Sequence, residues 1–294
     1  MTKHYKVAGH VFSLTLTDGC TLWPRLGQYA PFETEGVTEP VFSMELLPGT
    51  YEADPSREVV YDAPTEDGQT VVKLFRERDG WTFEMSPDSS RECNAHLCTG
   101  PDFRQGRLYL DNRRVSDAIF AINNSLMLLF AFTTATLGTL ELHASMTGNS
   151  GRAFLFLARS GTGKSTHSSL WLKHIPGSEL MNDDNPVGRV WPDGSIMAYG
   201  SPWSGKTPCY RNVEAPAGAF VRIRRSAENA ITPLRLPEAY ALIYSSCSGF
   251  KADRAMADGL HATIEKIVTT IPCYVLDCRP DEEAAMVCAA ELLK

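Results

Sequence analysis

Phe154-Leu-Phe-Leu157, followed directly by Ala158-Arg-Ser-Gly-Thr-Gly-Lys-Ser165, constrains this chain more than any other segment. An apolar, β-prone tetrapeptide without a polar break is expected to form a buried strand. Gly161 and Gly163 permit backbone angles and close approaches that a Cβ would obstruct. Lys164 and Ser165 then open a helical pattern that runs to His174. A strand, a glycine loop and a helix in succession aim several N–H groups at one point, with the positive helix end behind them. Phosphate oxygens suit that point: the lysine reaches the β- and γ-phosphates and the hydroxyl holds Mg²⁺. Ser160, Gly161, Thr162, Gly163, Lys164, Ser165 and Thr166 are therefore the expected phosphate-binding residues. Ala158 stands where the first glycine of such loops is usual, and as the smallest side chain it leaves the turn intact. The alternative is a glycine-rich turn with an incidental Lys-Ser.

The sequence around this loop divides in two. Short β-rich runs at Tyr5–Leu16, Val59–Asp62, Val71–Phe75 and Gly106–Leu110 alternate with turns, and Asp-Gly at 18–19 and 79–80 marks hairpins. Asn112–Phe132 changes to helical spacing, with Val115, Ile119, Ile122, Leu126, Leu129 and Phe130 recurring at three- and four-residue steps. This change of period sets a boundary between a β-rich N-terminal region, 1–112, and a nucleotide-binding domain, 113–294. Beyond Leu140, strands are expected at Leu140–Ala144, Ala153–Leu157, Glu179–Met181, Ser195–Tyr199, Ala219–Ile223 and Cys273–Asp277. Helices are expected at Ser165–His174, Pro237–Ser245, Asp253–Val268 and Asp281–Leu293. Strands alternating with helices imply an α/β domain.

Composition narrows the partners. A net charge of −7 without basic blocks argues against a nucleic-acid binder, because phosphate neutralisation needs clustered Lys and Arg. The longest apolar stretch, Leu126–Leu142, is broken by Thr133, Thr134, Thr136, Gly138, Thr139 and Glu141. It fits a buried helix running into a buried strand better than a bilayer span. No apolar export run follows Met1–Lys6, so a cytoplasmic protein with no membrane partner is expected. The eight cysteines are irregularly spaced without a C-x-x-C pair. Cys93-x-x-His96-x-Cys98 lacks an evident fourth zinc ligand, which leaves reduced thiols as the expected state.

Several polar residues are placed for chemistry. His143 precedes the loop strand within Leu142-His-Ala-Ser145 and is by itself most simply a core residue. Asn182-Asp183-Asp184-Asn185 ends an apolar segment before Pro186. Adjacent carboxylates there suit Mg²⁺ coordination and hydroxyl activation, and Asn and Asp before Pro equally suit a turn. Gly200-Ser-Pro-Trp-Ser-Gly-Lys206 offers Lys206 as a phosphate contact and Trp203 as a base-stacking ring, or else a surface turn. Arg222 and Arg224 share one strand face, either solvated or able to neutralise transferred charge.

Taken together, the loop, Leu142-His143-Ala144-Ser145 and Met181-Asn182-Asp183-Asp184 resemble the HPr kinase/phosphorylase-related family, whose nucleotide fold is shared with ATP-dependent phosphoenolpyruvate carboxykinase. The resemblance implies an α/β carboxykinase-like P-loop domain that transfers the γ-phosphoryl group of ATP, or another nucleoside triphosphate, to a hydroxyl. It implies Ser165, Asp183 and Asp184 as Mg²⁺ ligands, the aspartates also sharing general-base duty, and His143 beside them. The family's Arg-Gly-x-Gly stretch is not evident; the nearest segment, Glu214-Ala-Pro-Ala-Gly218, lacks the arginine. The expected acceptor is therefore a hydroxyl-bearing peptide, protein or small molecule other than HPr itself. Two further classes are an NTPase or nucleotide-binding regulator without an acceptor, and a carboxykinase-like lyase. A homo-oligomer is compatible with all of them.

Overall fold

The computed structural model describes residues 1–17, 20–35, 39–62, 70–89, 93–110, 114–205 and 207–294. Lys206, Asn112 and the Asp-Gly pair at 18–19 lie outside the described residues. The chain is mixed α/β with two large sheets and divides into two compact units, Met1–Thr133 and Thr134–Lys294.

The first unit holds β1 (Thr2–Val7), β2 (His10–Thr15), β3 (Phe42–Leu46), β4 (Glu58–Asp62), β5 (Val71–Glu77), β6 (Gly80–Ser86), β7 (Ala95–Thr99) and β8 (Gln105–Leu110). They form one sheet in the order β1-β2-β3-β8-β7-β6-β5-β4. The run expected as one strand over Tyr5–Leu16 lies within a hairpin, turned at Ala8-Gly9 where both φ angles are positive. Helix α1 (Val115–Thr134) packs on this sheet. Its Phe130 ring meets Phe12 and His10, and its Asn123 accepts from Tyr29 Oη at 2.9 Å and Gln28 Nε2 at 3.0 Å. The compact units thus divide at the end of this helix, whereas the change of sequence period falls at its start. Among the described residues α1 is the helix long and apolar enough to cross a bilayer by length and composition. Its Ala121, Ile122, Leu126, Leu129 and Phe130 are fully buried.

The second unit follows with β9 (Thr139–Glu141), β10 (Ala144–Asn149), β11 (Arg152–Leu157), α2 (Lys164–His174), β12 (Glu179–Asp184), β13 (Val187–Val190) and β14 (Ile196–Tyr199). It closes with β15 (Glu214–Arg225), β16 (Ala230–Pro233), α3 (Leu236–Ser246), α4 (Arg254–Thr270), β17 (Cys273–Cys278) and α5 (Glu282–Leu292). The main path is β12-β10-β11-β15-β14-β13-β9, and β17 joins β15 while carrying β16. Strand β15 pairs parallel with β11 and β17; the other pairings of this sheet are antiparallel.

β15 belongs to both halves of this sheet. Glu214–Pro216 pairs with β14, and the strand from Ala217 onward pairs with β11, with a register shift next to Gly218. One face packs on α2 and α5 through Phe154, Phe156, Trp171, Val221, Ile223, Leu276 and Cys288. Alternation sends Arg222 and Arg224 to the opposite face, as their spacing predicts. Asp253 and Asp281 cap α4 and α5, accepting from the Met256 and Ala284 amides.

Gly200 marks the tightest approach beside β12. Its N–H donates to Val213 O at 2.9 Å, and a Cβ there would overlap the Arg211 carbonyl oxygen and press on that of Met181. Both obstacles are backbone, so neither can swing aside. Gly200→Ala is expected to destabilise the fold by at least about 2 kcal/mol in urea titration, in the range of core overpacking. An unchanged midpoint would show that this contact is not rigid.

Candidate functional site

Strand register assembles the site. Ala144 lies opposite Leu157 on one side and Asp184 on the other, and Leu157 lies opposite Arg222. His143, the loop after Leu157 and the acidic end of β12 therefore emerge at the same edge of the sheet.

The strand expected over Leu140–Ala144 is interrupted at His143. Leu142 N donates to Pro186 O at 3.0 Å, while His143 N donates to Ser246 O at 2.8 Å, so the chain changes partners there. The break takes the imidazole out of the ladder and leaves its side chain 42% exposed, facing the loop. Gly161 and Gly163 have φ of +73° and +128°, where a side chain would be strained. Lys164, the first residue of α2, is buried. Its Nζ lies 2.7 Å from His143 Nε2 and donates to Ala158 O at 3.3 Å. The same Nε2 lies 3.2 Å from Asp184 Oδ1. Burial pushes the Lys164 ammonium down, against the pull of Asp184 and Asp183. The His143 hydrogen bond, then the His143 and Lys164 charges, hold the Asp184 carboxyl below its ordinary value despite burial.

Asp183 takes the other side of the site, where its Oδ1 accepts from Ser165 Oγ at 2.9 Å. Asn182-Asp183-Asp184-Asn185 is both a turn and a presenting device. Asn182 Oδ1 accepts from Asn185 N at 3.0 Å, and its Nδ2 donates to Ser201 Oγ at 3.2 Å and Trp203 O at 3.3 Å. Asp184 is left at φ +112°, a conformation that costs a non-glycine residue about 1–3 kcal/mol. The neighbouring Asp183 carbonyl is fixed by Gly205 N at 2.7 Å and Ser204 Oγ at 2.8 Å.

Among the phosphate candidates, Ser160, Gly161 and Thr162 line a cleft of about 1230 Å³ that includes His143. Gly161, Thr162, Gly163 and Thr166 line a second cavity of about 470 Å³ with Leu170, Ile223 and Pro280. The two cavities flank the loop. Trp203 is buried, so its ring is not offered for base stacking, and Lys206 lies outside the described residues.

Two contributors were not singled out from sequence. Arg225 holds the loop, donating to Gly161 O at 2.5 Å and Thr162 O at 3.1 Å. Face alternation drew attention to Arg222 and Arg224 instead, and no local spacing marks a contact between residues so distant in the chain. Glu141 is fully buried, and neither carboxyl oxygen has a hydrogen-bond partner of ordinary geometry among the described residues. Burial, with Asp184 adding to it, pushes Glu141 up to about 7, while Ser248 and His143 draw it down. A lone charge inside the apolar run Leu140-Glu-Leu142 was its available signal.

Among the described residues no group of three or more His, Cys, Asp and Glu side chains is arranged to hold a metal unaided. Ser165, Asp183 and Asp184 supply hard oxygen donors at the loop. That set suits Mg²⁺, which keeps several waters and takes its remaining ligands from phosphates.

No family model matches the sequence, and no curated protein matches it. The solved structure of an Hpr(Ser) kinase/phosphatase from Coxiella burnetii aligns with 51% of this chain and 86% of its own at 8% identity and a TM-score of 0.30. The chemistry of the site rests on its own geometry.

Glu141 gives the fold a pH signature. Its folded value of about 7 stands above the ordinary 4.5. Its contribution is therefore fully present below about pH 4.5 and is lost as pH rises through about 7. Glu141→Gln removes that loss, so the variant is expected to exceed the parent in stability at pH 8 by up to about 3 kcal/mol. Urea midpoints measured from pH 5 to 8 check this; parallel curves for the two proteins would refute it.

Proposed function

We propose that this protein is a carboxykinase-type P-loop phosphotransferase that moves the γ-phosphoryl group of a nucleoside triphosphate to a hydroxyl. The observation that carries this is the convergence of Ser165 on Asp183 and of Lys164 and Asp184 on His143 at the mouth of one glycine loop.

The loop amides and the α2 N-terminus receive the phosphates, and Lys164 exchanges its Ala158 and His143 contacts for phosphate oxygens. Ser165 and Asp183 would hold Mg²⁺, which neutralises charge on the β- and γ-phosphates when bound. The acceptor oxygen forms a bond to γ-phosphorus as the bond from phosphorus to the β,γ-bridging oxygen breaks, releasing the nucleoside diphosphate. The hydroxyl proton passes to Asp184, which its neighbours keep ionised, and His143 orients that carboxylate. Phosphoryl transfer asks mainly for positioning and charge stabilisation, so these groups suffice.

Mg-ATP at a hundredfold excess over its Kd is expected to stabilise the protein by about 2.7 kcal/mol, and Lys164→Ala to abolish most of that. No thermal response to ATP, GTP or pyrophosphate would overturn nucleotide binding altogether.

The aspartates should fail differently. Asp183→Asn is expected to weaken Mg-nucleotide binding, with partial relief by excess magnesium. Asp184→Asn should leave binding intact and lower turnover about 10²–10⁴-fold, the range of general-base loss. Near-normal turnover in both variants would reduce Asn182–Asn185 to a turn, and hydrolysis indifferent to every acceptor would make the protein an NTPase.

A further inference from the structure

We infer that the cleft beside His143 takes an acceptor carrying an anionic group, a carboxylate or a phosphate monoester, held by Arg222 and Arg159; this rests on the phosphotransferase reading. Among the described residues the cleft of about 1230 Å³ is lined by Arg159, Arg222, Arg224 and Arg225 against a single acidic residue, Glu238. Each of the others is already engaged. Glu238 is paired with Arg235 at 2.8 Å and accepts from its amide at 3.1 Å. Arg224 is clasped by both carboxyl oxygens of Asp277. Arg225 is spent on the Gly161 and Thr162 carbonyls.

Arg159 and Arg222 remain. Both are exposed, and neither guanidinium has a hydrogen-bond or ion-pair partner among the described residues, although Asp277 senses the Arg222 charge. Their position is specific. Arg222 is the register partner of Leu157, the last strand residue before the loop, and Arg159 is the second residue of the loop segment. A net charge of −7 for the whole chain makes this basic cleft a local feature, and a cleft lined by one sign of charge concentrates ligands of the other.

Neither arginine is needed by the nucleotide. The loop amides, the helix end and Lys164 already face the phosphates. The smaller cavity on the α2 side, with Leu170, Ile223 and Pro280, suits a nucleoside and contains neither Arg159 nor Arg222. The His143 side is thereby left to the acceptor. A guanidinium there offers a planar, two-pronged donor set that matches carboxylate and phosphate oxygens.

The test fills the loop first. With the protein saturated by Mg-AMP-PNP, which occupies the γ-phosphate position, inorganic phosphate is titrated by calorimetry. Binding in the millimolar range is expected, weakened at least tenfold in Arg222→Gln and in Arg159→Gln and partly restored in Arg222→Lys. Phosphoryl transfer from Mg-ATP is then compared for glycerate, glycerol 3-phosphate and glycerol. Both anionic acceptors should exceed glycerol at least tenfold in kcat/KM, and their ratio tells carboxylate from phosphate recognition. Arg222→Gln should raise the KM of the anionic acceptor while leaving the Mg-ATP thermal shift as it is. The inference falls if loaded wild-type protein binds no phosphate, if glycerol serves equally well, or if the arginine variants weaken Mg-ATP instead. Failure of Mg-AMP-PNP to bind would bring down the phosphotransferase reading itself, and this inference with it.

Discussion

Antiparallel pairing of β10 with both of its neighbours places Leu157, Ala144 and Asp184 in one row across the sheet, and the arrangement of the candidate site depends on that row. Side chains alternate along a strand, so a one-residue slip on either side of β10 would move Asp184 or the loop relative to His143 and turn its neighbours to the other face. The register is held from several directions. Ser145 Oγ lies 2.6 Å from Ser168 Oγ, tying β10 to α2. Within the same helix Trp171 Nε1 donates to His167 Nε2 at 3.1 Å, and burial pushes His167 down to about 4, so that nitrogen stays a neutral acceptor. The side chains of the candidate site thus rest on buried, uncharged contacts one layer below.

The charges are arranged with comparable economy. Lys164, His143 and Asp184 are linked through a single imidazole nitrogen, which cannot donate to the carboxylate and accept from the ammonium at once. Under the proposed function Lys164 is the member that leaves, for phosphate oxygens. Nearby, Glu141 adds a buried acid whose carboxyl oxygens have no hydrogen-bond partner of ordinary geometry among the described residues, and burying such a group is costly.

How much of this was legible in the sequence follows from how local each signal is. The loop was legible because strand, glycines, lysine and hydroxyl are contiguous, and helices α2 to α5 because what opens them is local too: the loop itself before α2, Pro237 in the first turn of α3, and the Asp253 and Asp281 caps of α4 and α5. The alternation of strands and helices did indicate a mixed α/β unit. The break at His143 was not legible, since it arises from Ser246 and Pro186, residues distant in sequence that compete for adjacent amides. The turn and site alternatives for Asn182–Asn185 stood as rivals in one dimension, yet in three the turn is what aims the carboxylates. Helix α1 shows the limit of periodicity: its pattern announces a helix without saying which sheet it covers, and Phe12 and Phe42 stack in the first unit to receive it. The grip of Arg225 on the loop was not legible because its partners are carbonyls, which carry no sequence signature.

β15 spans both halves of the second unit's sheet as one strand, pairing with β14 at its beginning and with β11 and β17 toward its end. Its last residues carry Arg222, which faces the larger cleft, and Arg225, which grips the loop backbone. The strand therefore crosses from one half of the sheet to the other at the irregularity beside Gly218. The β9-β13-β14 layer is thereby joined along one continuous backbone to Arg225, whose side chain makes the last link to the glycine loop.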